Sequence, residues 1–104
     1  MIPTLIFDEI DNGISGVTAS IVAKKLREIS QKHQIICITH LPQIAAAGDR
    51  NYRIYKDSDG EKTFTHVEKL SDEEKISEVA RLLGGTTITD TTLASARELI
   101  AGSL

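Results

Sequence analysis

The sequence predicts an α/β domain, and three observations predict it. Two continuous apolar runs, Leu5-Ile6-Phe7 and Ile35-Ile36-Cys37-Ile38, have the composition of strands buried on both faces of a parallel sheet. One amphipathic stretch of helical period separates them, so strand, helix and strand form a βαβ unit. An Asp-Gly pair between two alternating segments then marks a β-hairpin, and two further helical patterns follow.

Taken in order, the first strand runs through Thr4-Leu5-Ile6-Phe7 into two adjacent carboxylates, Asp8 and Glu9. Ile10 to Gly16 carries two glycines and three small polar residues, the composition of a tight loop. A helix is expected from about Val17 to Lys32, with Val22, Leu26 and Ile29 on one side and Lys24, Lys25, Arg27 and Glu28 on the other. The basic group reads as a solvated face, and His33 as a cation near the helix C-terminus. Ile35 to Thr39 is the second strand. Pro42 suits the first turn of a short helix through Ile44-Ala45-Ala46-Ala47, which Gly48-Asp49 ends.

Tyr52 to Lys56 and Thr63 to Glu68 alternate as strands around Asp57-Ser58-Asp59-Gly60. That acid-rich turn does not have calcium-loop spacing and lacks the closing glutamate. His66 reads as a sheet-face residue. Ser71-Asp72-Glu73-Glu74 is a capping box. Its helix carries Ile76, Val79, Ala80 and Leu83 at three-and-four spacing and ends at Gly84-Gly85. The last helix, about Asp90 to Ala101, has Leu93, Ala96, Leu99 and Ile100 as its stripe.

Composition narrows the function classes. The chain has 104 residues, 40% hydrophobic and 26% charged, with net charge −3. There is no basic block, which argues against phosphate-dependent nucleic-acid binding by this chain alone. The single cysteine excludes an internal disulfide and suits a reducing, cytoplasmic setting. No apolar stretch reaches membrane-spanning length, so no membrane partner is expected.

The chemistry-bearing residues converge on one edge. Parallel strands place their carboxyl ends together, which brings Asp8 and Glu9 toward Thr39 and His40. Two acids at a buried strand end suit nucleotide hydrolysis. One can hold Mg²⁺ against phosphate oxygens, and the next can orient and deprotonate the attacking water. A histidine at the neighbouring strand end can donate to the terminal phosphate. The phosphate cradle such a site needs is absent, since no G-x-x-x-x-G-K-[ST] loop occurs in the chain.

Leu5-Ile6-Phe7-Asp8-Glu9 resembles the Walker B strand of ABC-type ATPases. Asn12 to Gly16 falls where that family has its D-loop, and His40 where it has the switch histidine. More narrowly, Leu5 to Gly16 together with Ile38-Thr39-His40-Leu41-Pro42-Gln43 resembles the RecN family, SMC-like ATPases of bacterial DNA repair. Arg53-Ile54, Phe64-Thr65 and Arg81-Leu82-Leu83-Gly84-Gly85 extend the likeness over essentially the whole chain.

The resemblance implies a partial P-loop NTPase fold of the ABC type. Residues 1–104 would be the C-terminal segment of an ATPase head, with Walker A loop, Q-loop and signature motif upstream of Met1. It implies ATP and Mg²⁺ as cofactors, with Asp8 as the metal-associated acid, Glu9 as catalytic base and His40 as γ-phosphate sensor. Ser15 and Gly16 would lie in the loop facing the ATP of a second head. Many ABC ATPases carry an aspartate where Ser15 stands, so an aspartate contact across heads is not implied. The implied partners are the Walker A half of the head, a second head in a homodimer, and DNA through the full-length protein, which would be cytoplasmic and nucleoid-associated. Alone, the chain is expected neither to bind ATP tightly nor to hydrolyse it, and to associate through the Thr4–Phe7 edge. Alternatives are a piece of another ABC-class ATPase, such as a transporter subunit, and a non-catalytic interaction module that retains the fold.

Overall fold

A computed structural model describes residues 3–8, 13–84 and 87–103. Its elements are β1 (Thr4–Asp8), α1 (Gly16–Ile29), β2 (Gln34–Ile38), α2 (Pro42–Ala47), β3 (Tyr52–Ser58), β4 (Thr63–Lys69), α3 (Asp72–Gly84) and α4 (Asp90–Gly102). This is the order the sequence predicts, a βαβ unit, short helix, hairpin and two helices. It makes the chain a small α/β structure.

β1 and β2 pair in parallel, with Thr4 opposite Gln34 and Asp8 opposite Ile38. Because β side chains alternate, each strand divides into two faces. Leu5, Phe7, Ile35 and Cys37 are half-buried, and Cys37 packs with Val22, Leu26 and Leu41 around buried Ala23, Ile44 and Ala47. The opposite face is bare, with Ile6 67% exposed, Ile36 45% and Ile38 42%. The expectation that both faces are buried is therefore not met: one face is half-buried and the other exposed. The physical reason is that, among the described residues, the helices pack on one side of the strand pair and none lies over the other.

α2 joins two small cores. Its Ile44 and Ala47 belong to the cluster against α1, while Ala46 packs with Val79, Ala80 and Ala96 of α3 and α4. Among the described residues most of the buried hydrophobic positions are alanines, with Ile44 and Val79 as the larger exceptions. Such a core is thin for a chain of this length. The radius of gyration, 14.6 Å, exceeds the about 13 Å of a compact domain of ~100 residues.

Side chains lock the connections between the helices. Arg27 Nη1 donates to the Ala47 carbonyl at 2.6 Å and to Asp49 at 3.1 Å. Lys75 Nζ donates to the Gly48 carbonyl at 2.6 Å, and burial pulls the pKa of this ammonium below its ordinary value. Asn51 Nδ2 donates to Ala45 O at 2.7 Å. These three side chains converge on the C-terminal end of α2.

Helix ends follow the sequence signals closely. Ser71 Oγ accepts from Glu74 N at 3.2 Å, and Glu74 accepts from Ser71 N at 3.0 Å, completing the capping box. Thr89 caps α4 by accepting from Thr92 N at 3.1 Å. The end of α3 meets the start of α4 closely. A Cβ on Gly84 would stand 2.9 Å from Thr92 Cγ2.

Two boundaries differ from expectation. α1 ends at Ile29, and Gln31, Lys32 and His33 bond back to Glu28 and Ile29 in turns. His33 is thus beyond the helix, half-buried, with a buried Nδ1 that has no hydrogen-bond partner among the described residues. In the hairpin, β3 continues to Ser58, so the Asp-Gly pair lies in a loop of residues 59–62. Asp59 accepts there from Glu61 N and Lys62 N, which holds its carboxyl below the ordinary range. Gly60 takes φ +97°, a conformation favouring glycine.

The hairpin is exposed on both faces. On one, Ile54 opposes Val67, at 57% and 65% exposure. On the other, Arg53 pairs with Glu68 at 3.2 Å and lies over the Tyr55 ring, which stacks on His66 at 5.0 Å. His66 is a sheet-face residue, as its alternation predicts.

Candidate functional site

The candidate site is the carboxyl edge of the β1–β2 pair. Asp8 is the last residue of β1, opposite Ile38, the last of β2, and His40 follows two residues later. The parallel register therefore puts Asp8 and the Thr39-His40 segment at one edge of the sheet. Asp8 and His40 are both exposed. Glu9, which sequence assigns as the catalytic base, lies outside the described residues, as do Asp11 and Asn12 of the D-loop-like segment.

α1 starts from the same edge. Ser15 is its N-cap, accepting from Thr18 N at 3.3 Å and donating to Thr18 Oγ1 at 3.1 Å. Gly16 is the first helical residue. Ser15 thus has a local structural role whatever else it touches. Loss of such a cap costs about 0.5–2 kcal/mol of helix stability.

The turn after β2 is set by the Thr39 hydroxyl, which accepts from Leu41 N at 3.0 Å. Pro42 then opens α2 and Gln43 follows. Gln43 reaches back across the edge, because a Cβ on Gly16 would stand only 3.1 Å from its Nε2. The Gln43 Oε1 is buried and has no hydrogen-bond partner among the described residues. Leu41-Pro42-Gln43 reads as part of a motif in the sequence, but no task for Gln43 follows from it, because a contact with a glycine leaves no sequence signal.

Two clefts in the described structure lie beside the helices. One, of about 550 Å³, opens between α1, α2 and the end of α4, and includes Ser20, Lys24, Arg27 and Gln43. Another, of about 340 Å³, lies beside α3 and includes Arg53, Glu74, Glu78 and Arg81. Neither is lined by Asp8, Ser15 or His40. Among the described residues no three histidines, cysteines, aspartates or glutamates cluster as a metal cage. No helix among the described residues is long and apolar enough to cross a membrane.

Comparison with known proteins finds relatives that match nearly the whole chain. The chain is 50% identical over 98 residues to the DNA repair protein RecN of Vibrio cholerae, covering 94% of the chain and 18% of that protein. It is 50% identical over 99 residues to the RecN of Haemophilus influenzae, again covering 18% of the relative. The chain is RecN-like. The likeness extends to the RecN of Bacillus subtilis, 41% identical over 99 residues, 95% of the chain and 17% of the relative. The RecN-like chain thus spans less than a fifth of the length of these curated relatives. No protein-family model matches it.

Proposed function

We propose that this chain supplies the hydrolytic part of an ATPase head in a RecN-type DNA repair protein. The observation that carries the reading is the parallel register that puts Asp8 and the His40 segment at one sheet edge. The relatives' name supports DNA repair as the setting; recombination, the cytoplasm and the nucleoid are part of the proposal.

Within this reading the head has an ABC-type P-loop fold, and each edge residue has a task. Asp8 would be the residue to hold a Mg²⁺, which when bound would supply charge neutralisation at the phosphates. Glu9 orients the attacking water and takes its proton. His40 donates to the terminal phosphate and senses whether it is there. Ser15 and Gly16 lie where a second head closes on the nucleotide. The Walker A half of the head brings the phosphate cradle, and DNA is engaged by the full-length protein.

The test compares this chain with a chimera in which it replaces the matching segment of the Vibrio cholerae relative. The chain alone is expected to show no micromolar ATP affinity by calorimetry and no turnover. The chimera is expected to hydrolyse ATP with Mg²⁺, and Asp8→Asn to remove that activity. Tight ATP binding by the isolated chain, or a fully active Asp8→Asn chimera, contradicts the assignment.

A further inference from the structure

Gln43 stands where the two loops of the candidate site touch. It is the second residue of α2, three positions after His40, and Gly16 is the first of α1, one after Ser15. The 3.1 Å separation between the Gln43 amide and a Cβ built on Gly16 is tighter than ordinary van der Waals contact. A methyl at position 16 would make the Gln43 amide give way by a few tenths of an ångström. The backbone joins Gln43 rigidly to the histidine segment, since Leu41 N bonds to Thr39 Oγ1 and Ala45 N to Leu41 O at 3.0 Å each.

Hydrogen bonding does not explain why a glutamine occupies this place. Its Oε1 is buried without a partner among the described residues. A buried amide oxygen lacking a donor is unfavourable for stability, and an apolar side chain of similar size would serve packing better.

We infer that Gln43 is a positioning residue that couples the His40 segment to the Ser15–Gly16 segment across the Gly16 contact. The inference rests on the ATPase reading above and deepens it. A displacement of His40 on contact with phosphate passes through the start of α2 to Gly16. There it moves the segment that the second head approaches.

Two measurements test this. In the 104-residue chain, Gln43→Ala is expected to shift the NMR amide resonances of Ser15 and Gly16, and Gly16→Ala to shift the His40 ring resonances. Absence of both effects overturns the coupling, whatever the chain's function. In the chimera, Gln43→Leu is expected to lower kcat by about 10- to 100-fold, the cost of misplacing site groups by a fraction of an ångström to one. KM for ATP should stay within about twofold and the urea midpoint should not fall, since Leu removes an unmet acceptor. Gln43→Ala combined with Gly16→Ala should cost less than the sum of the single changes, because shortening the side chain at position 43 leaves room for the methyl added at position 16. Lys25→Ala, on an exposed part of α1, is the control expected to change nothing. Unchanged kcat in Gln43→Leu, or equal loss of kcat and stability, refutes the positioning role. A chimera with no turnover even when unmutated refutes the ATPase reading instead, and the NMR result then decides the coupling.

Discussion

Arg27 reaches from the last turn of α1 to the carbonyl of Ala47 at the end of α2, a 2.6 Å hydrogen bond from a guanidinium only 30% exposed. The same nitrogen also contacts Asp49 at 3.1 Å. This charged bond holds α1 against the helix that joins both cores, so its removal should weaken the whole structure. Arg27→Ala is expected to destabilise by about 1.5–3 kcal/mol, the range for hydrogen bonds to charged groups. Arg27→Lys should recover less than half, because a point charge does not reproduce the planar fork. Urea unfolding of the three proteins checks both.

Gly84 and Thr92 form a second close approach, 2.9 Å from an added Cβ to Thr92 Cγ2. Gly84→Ala should therefore cost about 1–3 kcal/mol by overpacking, despite the better helix propensity of alanine. Adding Thr92→Ser removes the clashing methyl while keeping the hydroxyl that meets Thr89 Oγ1 at 2.8 Å. The double variant should unfold at a higher urea concentration than Gly84→Ala alone.

Glu74 gives a pH dependence with a definite sign. The Ser71 backbone N–H and hydroxyl hold its carboxyl below the ordinary value of 4.5. A depressed native pKa means that the stabilisation is complete above the unfolded value and is lost as pH falls through the native one. Protection of the first α3 amides should thus be constant above about pH 5 and decline in more acid solution. Glu74→Gln should flatten that decline while retaining the return bond to Ser71 N. An NMR-monitored pH titration of both proteins provides the measurement.

The bare sheet face predicts behaviour in solution. Ile6, Ile36 and Ile38 form an apolar surface with nothing over it among the described residues, beside strand edges that can pair with another chain. The isolated chain is expected to self-associate and to bind a hydrophobic dye. Ile36→Lys should reduce both while changing monomer stability by less than about 0.5 kcal/mol, as for surface positions. Sedimentation velocity with parallel unfolding curves distinguishes this from a face that is covered in the chain alone, where the lysine would be severely destabilising.

Local rules made the element order legible. The apolar runs, the capping box at Ser71 and Glu74 and the three-and-four spacing of Ile76, Val79, Ala80 and Leu83 each specify their element without distant help. The site was legible as residue types at strand ends, since Asp8 and His40 follow directly from a parallel pairing. Other features depend on contacts between segments far apart in sequence. Arg27 reads as part of a solvated basic face, and only the approach of α2 turns it inward. Gln43 gains its place from a glycine 27 positions away. The full burial expected for Leu5-Ile6-Phe7 assumes a covering layer, and an apolar run does not say which chain segment covers it.

Glu9 decides whether this chain carries the hydrolytic residues of a RecN-type ATPase head, as proposed. In the chimera, Glu9→Gln keeps the shape of the side chain and removes its ability to take a proton. ATP affinity should stay within about threefold, while turnover falls by about 10²- to 10⁴-fold, the range for loss of a general base. Turnover equal to that of the unmutated chimera, with ATP binding intact, would contradict the assignment.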